Sequence, residues 1–333
     1  VRVSNLEKKV GNISWNGDAR MRYTASSLKD KKDIYDGRIR LNVKGQVNDA
    51  TYVQGQFVNN MNFKDEASSN TTMAQIYVNH NFNKNVAVRL GRQPIVFGNQ
   101  GGWQYNGLEG YDGAQASYNN GKLALTTGFG QLNASDWEDV THKVGDKVVV
   151  DSYGVTGTDM YFAKGAYDFG FAKLGADYIK FQGDTNSTDH YFAGQELYGI
   201  NLTIPVQKFN VFGEYWKNTT TGDYEYDTAW NAGLSYGKAD WKKAGTWDLS
   251  VAYNDVDAGA YFGGGTWHND MLKNLNNSKY IEADNLTFWT AIANVTLQKN
   301  VQLHAEYAFG ADAEGTNGVD PDDSWTVSLN YKF

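Results

Sequence analysis

The chain has 333 residues, 38 acidic and 30 basic side chains, and a formal net charge of -8 at pH 7. This charge, without any basic tract, argues against a nucleic-acid partner. The mean hydropathy is -0.57, and no apolar run approaches the roughly 18 residues that a membrane-spanning helix needs, which excludes a helical membrane protein. Aromatic residues make up 14% of the chain, with 22 Tyr and 10 Trp, and there is no Cys.

The first twelve residues differ from the rest of the chain. Val3, Leu6 and Val10 follow the three- and four-residue spacing of a helix with one apolar seam. Residues 1–12 are either a terminal linker or the end of a coiled-coil stalk on the periplasmic side. No signal peptide is visible before Val1, so we expect that the start of the protein has been removed.

From Ile13 onward the apolar residues recur with a period of two. Trp15, Met21 and Tyr23 alternate with polar residues such as Asp18 and Arg20. This period places alternate side chains on opposite faces of a β-strand. The same pattern predicts about sixteen segments, near 13–26, 34–47, 51–62, 73–82, 86–92, 111–119, 122–131, 158–167, 171–181, 196–204, 209–217, 226–236, 246–255, 285–297, 301–309 and 324–333.

The connectors between these segments alternate between short turns and long polar loops. Pro94, Pro205 and Pro321 all fall in predicted connectors, where a strand hydrogen bond is not needed. Short turns at one end and long loops at the other are typical of outer-membrane barrels. We therefore predict an all-β fold, a transmembrane antiparallel β-barrel of about 16 strands over residues 13–333. Such a barrel must close, since a lipid-exposed sheet edge leaves backbone groups without partners.

Basic residues recur at inward-facing positions of the first strands. They either hydrate the lumen in pairs with Asp18 and Asp36, or form a positive wall that biases ion selectivity. The residues that we assign to this basic wall of a pore constriction are Arg20, Arg22, Arg38, Arg40, Arg89 and, just beyond its strand, Arg92.

The long connector 93–111 is rich in glycine and carries Trp103, Tyr105 and Glu109, with Asp112 at its end. It is either a plain surface loop or a loop folded into the lumen. In the second case Glu109 and Asp112 would form the acidic side of the constriction and face the arginines. Opposed charges of this kind tune the selectivity of a pore.

Three short motifs resemble those of trimeric general porins. They are Leu90-Gly91-Arg92-Gln93, Asp112-Gly113-Ala114-Gln115-Ala116-Ser117-Tyr118, and the terminal Asn330-Tyr331-Lys332-Phe333. The resemblance implies a homotrimer of sixteen-stranded barrels, each with a third loop that folds inward. It also implies that Tyr331 and Phe333 belong to a C-terminal assembly signal.

The segment ahead of the barrel further resembles the stalk end of OmpM-type porins, which carry an S-layer-homology domain. This resemblance implies a link to the cell wall through an upstream domain that is not in this chain. It also implies a bacterial outer-membrane location with a periplasmic N-terminus, and outer-membrane lipids, solutes and ions as partners.

Catalytic and cofactor sites are poorly supported. The chain contains no G-x-S-x-G nucleophile motif, and His304, which faces the lumen with Glu306, is predicted to be a hydrogen-bonding residue. The acidic loop segments Asp184–Asp189 and Asp320–Asp323 have the oxygen ligands that Ca²⁺ prefers, but neither has EF-hand spacing. We therefore predict no enzyme and no cofactor.

The sequence leaves three functions open. The first is a general diffusion porin for small hydrophilic solutes and ions. The second is a sugar-specific channel, in which Trp103, Tyr105, Trp137 and Trp267 would form a stacking slide. The third is mainly a structural tether between the outer membrane and the cell wall.

Overall fold

The computed structural model describes residues 11–28, 32–63, 70–98, 102–132, 138–144, 147–153, 158–182, 194–221, 225–261, 268–275, 283–315 and 319–333. Most of the predicted linker or stalk at residues 1–12 therefore lies outside the described residues. Among the described residues, no helix is both long enough and apolar enough to cross a membrane.

Sixteen strands of the described part of the chain form a closed antiparallel barrel, which confirms the predicted fold class. Consecutive barrel strands pair throughout, and the last strand closes on the first. The barrel strands are β1 Ile13–Ala25, β2 Ile34–Gln46, β3 Thr51–Asn62, β4 Asn70–Asn81, β5 Val86–Phe97, β6 Tyr105–Asn119, β7 Leu123–Leu132, β10 Thr158–Asp168, β11 Lys173–Phe181, β12 Glu196–Val206, β13 Phe209–Asn218, β14 Thr228–Gly237, β15 Trp247–Asp257, β16 Asn285–Gln298, β17 Val301–Glu314 and β18 Ser324–Lys332.

Two elements lie in connectors that the sequence pattern leaves without structure. Strands β8 (Glu138–Val144) and β9 (Lys147–Tyr153) form a separate two-stranded sheet. A short 3₁₀ helix, Met271–Asn274, lies between β15 and β16.

The predicted loop 93–111 is largely a β-hairpin, because β5 continues to Phe97 and β6 begins at Tyr105. A register shift between Gln93 and Ile95 holds Pro94 at an irregular position of the ladder, so Pro94 is inside β5 rather than in a connector. Gly110 has a φ of +52°, and a Cβ there would lie 1.8 Å from the carbonyl oxygen of Gln93. Pro205 is also inside a strand, one residue before the end of β12.

The outer surface of the barrel carries an apolar belt between two rows of aromatic residues, the pattern typical of transmembrane barrels. We call the end with the short turns the lower end and the end with the long connectors the upper end. In the upper row, the Tyr23 ring centroid lies 4.6 Å from that of Tyr35 and 4.7 Å from that of Trp325. In the lower row, Tyr236 contacts Phe209 at 4.8 Å and Trp247 at 5.4 Å.

One side of the upper interior is packed with apolar side chains. Inward-facing residues at the upper ends of β5–β7 and β10–β16 form a buried apolar cluster with residues of two connectors. We call this the interior cluster; it includes Ile95, Phe97, Trp103, Tyr105, Tyr111, Met160, Phe162, Ile179, Phe181, Leu197, Trp216, Val256, Met271, Leu286 and Phe288. By contrast, the inward face of β1–β3 is mostly polar, so the two sides of the lumen differ chemically.

Candidate functional site

Four of the predicted basic residues come together on the inward faces of β1 and β2. The antiparallel register places Arg20 opposite Arg38 and places Asp18 opposite Arg40. Arg40 Nε donates to Asp18 Oδ2 at 2.8 Å, and Arg38 Nη2 lies 3.5 Å from Asp18 Oδ1. We call Arg20, Arg22, Arg38 and Arg40 the arginine patch.

The second carboxylate of this wall is Asp36. It accepts hydrogen bonds from the guanidinium of Arg22, with Nε 2.9 Å from Oδ1, and lies 3.9 Å from Nη2 of Arg20. Two carboxylates thus serve four arginines, so the patch keeps a positive charge although each of its members has an ionic partner. Both interpretations of the sequence therefore describe part of the structure. The arginines are paired with Asp18 and Asp36, and the wall still carries more positive than negative charges.

A layer of side-chain amides lies below the patch. Asn42 Nδ2 donates to Asn16 Oδ1 at 2.8 Å, Gln56 Nε2 donates to Asn42 Oδ1 at 2.8 Å, and Gln75 Nε2 donates to Gln56 Oε1 at 3.3 Å. The layer crosses β1–β4 and carries no net charge.

Arg89 faces inward, as predicted, but apart from the arginine patch. Its Nε donates to Asn79 Oδ1 at 3.1 Å, and its Cζ lies 5.1 Å from the ring centroid of Tyr77. On β2, Lys44 Nζ lies 4.2 Å from the ring centroid of Tyr52. Both cations are closer to the lower end of the barrel than the arginines of the patch.

The assignment of Arg92 and Asp112 to the constriction is wrong. Arg92 donates to Asp112 through Nε and Nη2, both at 2.7 Å, and each side chain is 38% exposed. The register places this pair on the same face as Leu90 (55% exposed) and Phe129 (49% exposed), which is the outer face of the barrel. Arg92 lies three positions from inward-facing Arg89, and an odd step along a strand reverses the face.

The side chain of Glu109 lies outside the described residues, and its backbone belongs to β6. Trp103 and Tyr105 are almost fully buried in the interior cluster, so they do not offer a stacking surface to a passing sugar. From the sequence, both were predicted to be exposed aromatic residues of the lumen. Their burial could not be predicted, because it depends on how the connector folds against the rest of the barrel. Trp137 and Trp267 lie outside the described residues.

The turn between β5 and β6 is fixed to the wall formed by β10 and β11 through charged residues that the sequence pattern does not single out. Lys164 donates to the carbonyl oxygen of Val96 and lies 3.8 Å from Asp177 Oδ1. Gly98 N donates to Asp177 Oδ2 at 3.2 Å. These contacts support the predicted inward-folded third loop. The sequence signal that could have indicated this contact is the charge of Lys164 and Asp177, which interrupts the apolar residues at the inward-facing positions of β10 and β11.

A second connector segment, 268–275, also folds inward and was not predicted. Asp270 accepts from Ser26 Oγ at 2.6 Å and from the backbone N and Oγ of Ser27, both at 2.8 Å. Asn274 Nδ2 donates to Ser27 Oγ at 2.8 Å. The segment is thereby held against the upper end of β1, beside the arginine patch.

The same segment is held from β17 by Glu306. This buried carboxylate accepts from the backbone N of His268 at 2.8 Å, from the backbone N of Asn269 at 2.8 Å and from His304 Nε2 at 2.9 Å. His304 Nδ1 also lies 2.7 Å from Asn294 Oδ1. The prediction that His304 is a lumen hydrogen-bonding residue is confirmed.

His268, His304 and Glu306 bring one possible metal-ligand atom each within 4.8 Å of one another. However, Arg20 Nη1 lies 3.1 Å from His268 Nε2 and supplies a cation at this position. A bound metal ion would have to displace or oppose that guanidinium. Burial, followed by the nearby arginines, lowers the pKa of His268 below its ordinary value despite the opposite effect of Glu306. We infer that His268 is neutral at pH 7 and accepts a hydrogen bond from Arg20.

The third loop also contacts the start of the connector between β15 and β16. Gln104 Nε2 donates to the carbonyl oxygen of Ala260 at 2.6 Å, and the ring centroids of Trp103 and Tyr261 lie 5.9 Å apart. Trp103 and Ala260 belong to the interior cluster, and Tyr261 packs against it. The polar wall of β1–β3 remains as the charged side of the lumen.

The two residues of the predicted assembly signal lie at the barrel seam. Tyr331 pairs with Ala19 on β1 and with Val301 on β17. Phe333 follows the end of β18 and exchanges backbone hydrogen bonds with Gly17, at 2.8 and 3.0 Å. The strand pairing is consistent with an assembly role, which remains a prediction.

Of the two acidic loop segments, Asp184–Asp189 lies outside the described residues. Asp320 Oδ1 accepts from Ala313 N at 3.1 Å, and Asp323 accepts from Tyr307 OH and from Gly310 N. These carboxylates therefore already have protein donors from the β17 side.

No protein-family model and no curated protein matches the chain. Solved structures do match. A mutant of the Rhodopseudomonas blastica porin is 12% identical, with a TM-score of 0.58, and the match covers 96% of this chain and 100% of that porin. Pseudomonas putida OprB is 10% identical, with a TM-score of 0.60, over 100% of this chain and 96% of OprB. These similarities show the fold, which is a porin-type β-barrel.

Proposed function

We propose that the chain is a passive diffusion channel for small hydrophilic solutes and ions in a bacterial outer membrane. The observation that carries this proposal is the contrast between the two faces of the barrel. The outer face is an apolar belt between aromatic rows, whereas the inner face of β1–β3 is lined with arginines and amides. A closed barrel with these two faces can hold lipid outside and water inside.

The proposed transport needs no chemistry and no cofactor. Solutes move down their gradient past the arginine patch, whose positive charge favours anions over cations. Along β1–β3 the wall offers hydrogen bonds first from arginines and then from amides. A polar solute that loses water can therefore form hydrogen bonds with the wall instead.

Planar-bilayer conductance tests this proposal. Protein purified in detergent is expected to insert and to give stepwise, ohmic openings in potassium chloride. Protein that inserts in folded form, judged by heat-modifiable gel mobility, but gives no openings would overturn the function. Linear solute uptake is expected for a general channel, whereas block at sub-millimolar sugar concentrations would favour a sugar-specific one.

We also propose a homotrimer. The upper aromatic row is interrupted across β4–β6 in the described part of the chain, where Met73 and the Arg92–Asp112 pair face outward. Contact with another barrel, rather than with lipid, would cover this stretch. Cross-linking in detergent followed by mass measurement tests the assembly, and a monomer as the only species would contradict it.

The OmpM-like tether remains a proposal that rests on the apolar spacing of Val3, Leu6 and Val10. It places the N-terminus, and with it the short turns, on the periplasmic side. The test is deletion of the region upstream of the barrel in cells. Detached outer membranes with unchanged conductance would support a separate tethering role, and intact envelopes would argue against it.

A further inference from the structure

A second group of inward-facing cations lies below the arginine patch, toward the lower end of the barrel. Lys44 on β2 and Arg89 on β5 lie at its two ends, with Tyr52 on β3 and Tyr77 on β4 between them. We call these four residues the lower row. The distance from Lys44 Nζ to the Tyr52 ring centroid is 4.2 Å, the two ring centroids are 6.4 Å apart, and Arg89 Cζ is 5.1 Å from the Tyr77 centroid.

The register makes this row continuous. Tyr52 pairs with Asn79 and Asn79 pairs with Arg89, while the alternate residues Val53, Val78 and Leu90 are exposed on the outer face. Neighbouring strands lie about 4.8 Å apart. The four side chains therefore extend side by side along the lumen wall over four strands.

The lower row differs from the arginine patch in its charge balance. The guanidinium groups of Arg22 and Arg40 already donate to carboxylates. Within the described part of the chain, neither Lys44 nor Arg89 forms an ion pair with a carboxylate. A tyrosine ring holds a cation near the wall by attraction to its π face but does not neutralise its charge. Lys44 and Arg89 therefore keep their full attraction for an anion from the lumen.

We propose that the lower row is a binding site for small organic dicarboxylates on their way through the barrel. The two cations lie at the ends of the row and would each attract one carboxylate, while the tyrosine rings between them would contact the apolar carbon chain. The proposal rests on the proposed channel function and names a solute class for it. Useful binding in a channel must also be weak enough to allow release.

The test is block of potassium chloride current by adipate in planar bilayers, compared with hexanoate and hexanediol. Adipate is expected to block the wild-type channel at lower concentration than hexanoate, and hexanediol least. Lys44→Gln and Arg89→Gln should each raise the half-blocking concentration of adipate by about fivefold, the effect of one unit charge near contact distance in water. Tyr52→Leu keeps both cations. It should weaken block by adipate more than it weakens block by succinate, whose carbon chain is shorter.

The matched control is Lys84→Gln with Lys122→Gln, which removes two cations from exposed turns at the same end of the barrel. This variant should keep the wild-type block. The site is ruled out if adipate blocks no better than hexanoate, or if Lys44→Gln and Arg89→Gln leave its half-blocking concentration unchanged while their potassium chloride conductance shows an open channel. Absence of any conductance in the wild type would instead overturn the channel function itself.

Discussion

The aromatic ring of Phe333 lies directly against the backbone of Gly17, where β18 closes on β1. A methyl group at residue 17 would come within 2.6 Å of Phe333 Cε2 and 2.5 Å of the carbonyl oxygen of Arg40. The absence of a side chain at Gly17 therefore lets the last aromatic residue cover the seam and lets β2 approach from the other side.

Replacement of Gly17 by alanine should weaken barrel closure. The added methyl group overlaps both a backbone oxygen and the Phe333 ring, and overpacking of this kind costs about 1–3 kcal/mol. We expect a lower midpoint in guanidinium unfolding of the detergent-solubilised barrel, followed by gel mobility. Gly45→Ala on β2 is the control, because nothing lies within 4 Å of its added methyl group. Equal midpoints for the two variants would contradict the role assigned to the seam.

Replacement of Arg40 by alanine should raise cation preference, because Arg40 faces the lumen and Asp18 would lose its closest partner. One unit charge near contact in water corresponds to about fivefold in local anion concentration, which is an upper limit because the removed charge is partly balanced. Reversal potentials in a potassium chloride gradient measure the change, and Arg38→Ala with Arg40→Ala should shift them further. Arg92→Ala, on the outer face, should leave the reversal potential unchanged.

Acidification should release the inward segment 268–275. His268 has a lowered pKa while the segment is docked beside Arg20 and Glu306, whereas a released histidine titrates near 6.5. The released form therefore binds more protons below about pH 6.5, so docking is strongest above that pH and weakens as pH falls.

The chain contains no cysteine, so a spin label on Lys273→Cys reports on this segment alone. Label mobility is expected to increase between pH 7.5 and pH 5. Adding His268→Gln should remove most of this pH dependence. A label that is equally mobile at both pH values would contradict the release of the segment by acid. An unchanged pH response in the His268→Gln background would show that a group other than His268 causes it.

Replacement of Trp103 by alanine should destabilise the upper end of the barrel rather than alter sugar passage. Trp103 is almost fully buried in the interior cluster, and truncation of a buried tryptophan costs about 3–5 kcal/mol. Thermal unfolding in detergent should show the loss, with Trp15→Ala on the outer face as the matched control. Unchanged stability together with weaker sugar block would restore the stacking slide predicted from the sequence.

Strand number and location were predictable from the sequence because lipid on one face and a polar lumen on the other impose a period of two. The same period predicts that Arg92, three residues from inward-facing Arg89, faces outward. The porin-like motif instead led to its assignment to the pore constriction. The hairpin 93–111 was missed because its glycines are typical of loops, although Gly110 permits a close strand approach.

The inward segment 268–275 could not be predicted from the sequence. Its position depends on Ser26, Ser27 and Glu306, which are far from it along the chain and polar like most loop partners. The pairing of Lys164 with Asp177 was hidden for a similar reason, since only the folded barrel brings the turn at Gly98 to that wall.

The interior cluster lies at the upper ends of β5–β7 and β10–β16, whereas β1–β3 present arginines and amides on their inner face. A solute that follows the proposed route therefore meets apolar side chains on one side and charged ones on the other. Its own charge then decides how long it stays near β1–β3. Trimming the cluster would consequently relax size exclusion and charge discrimination together.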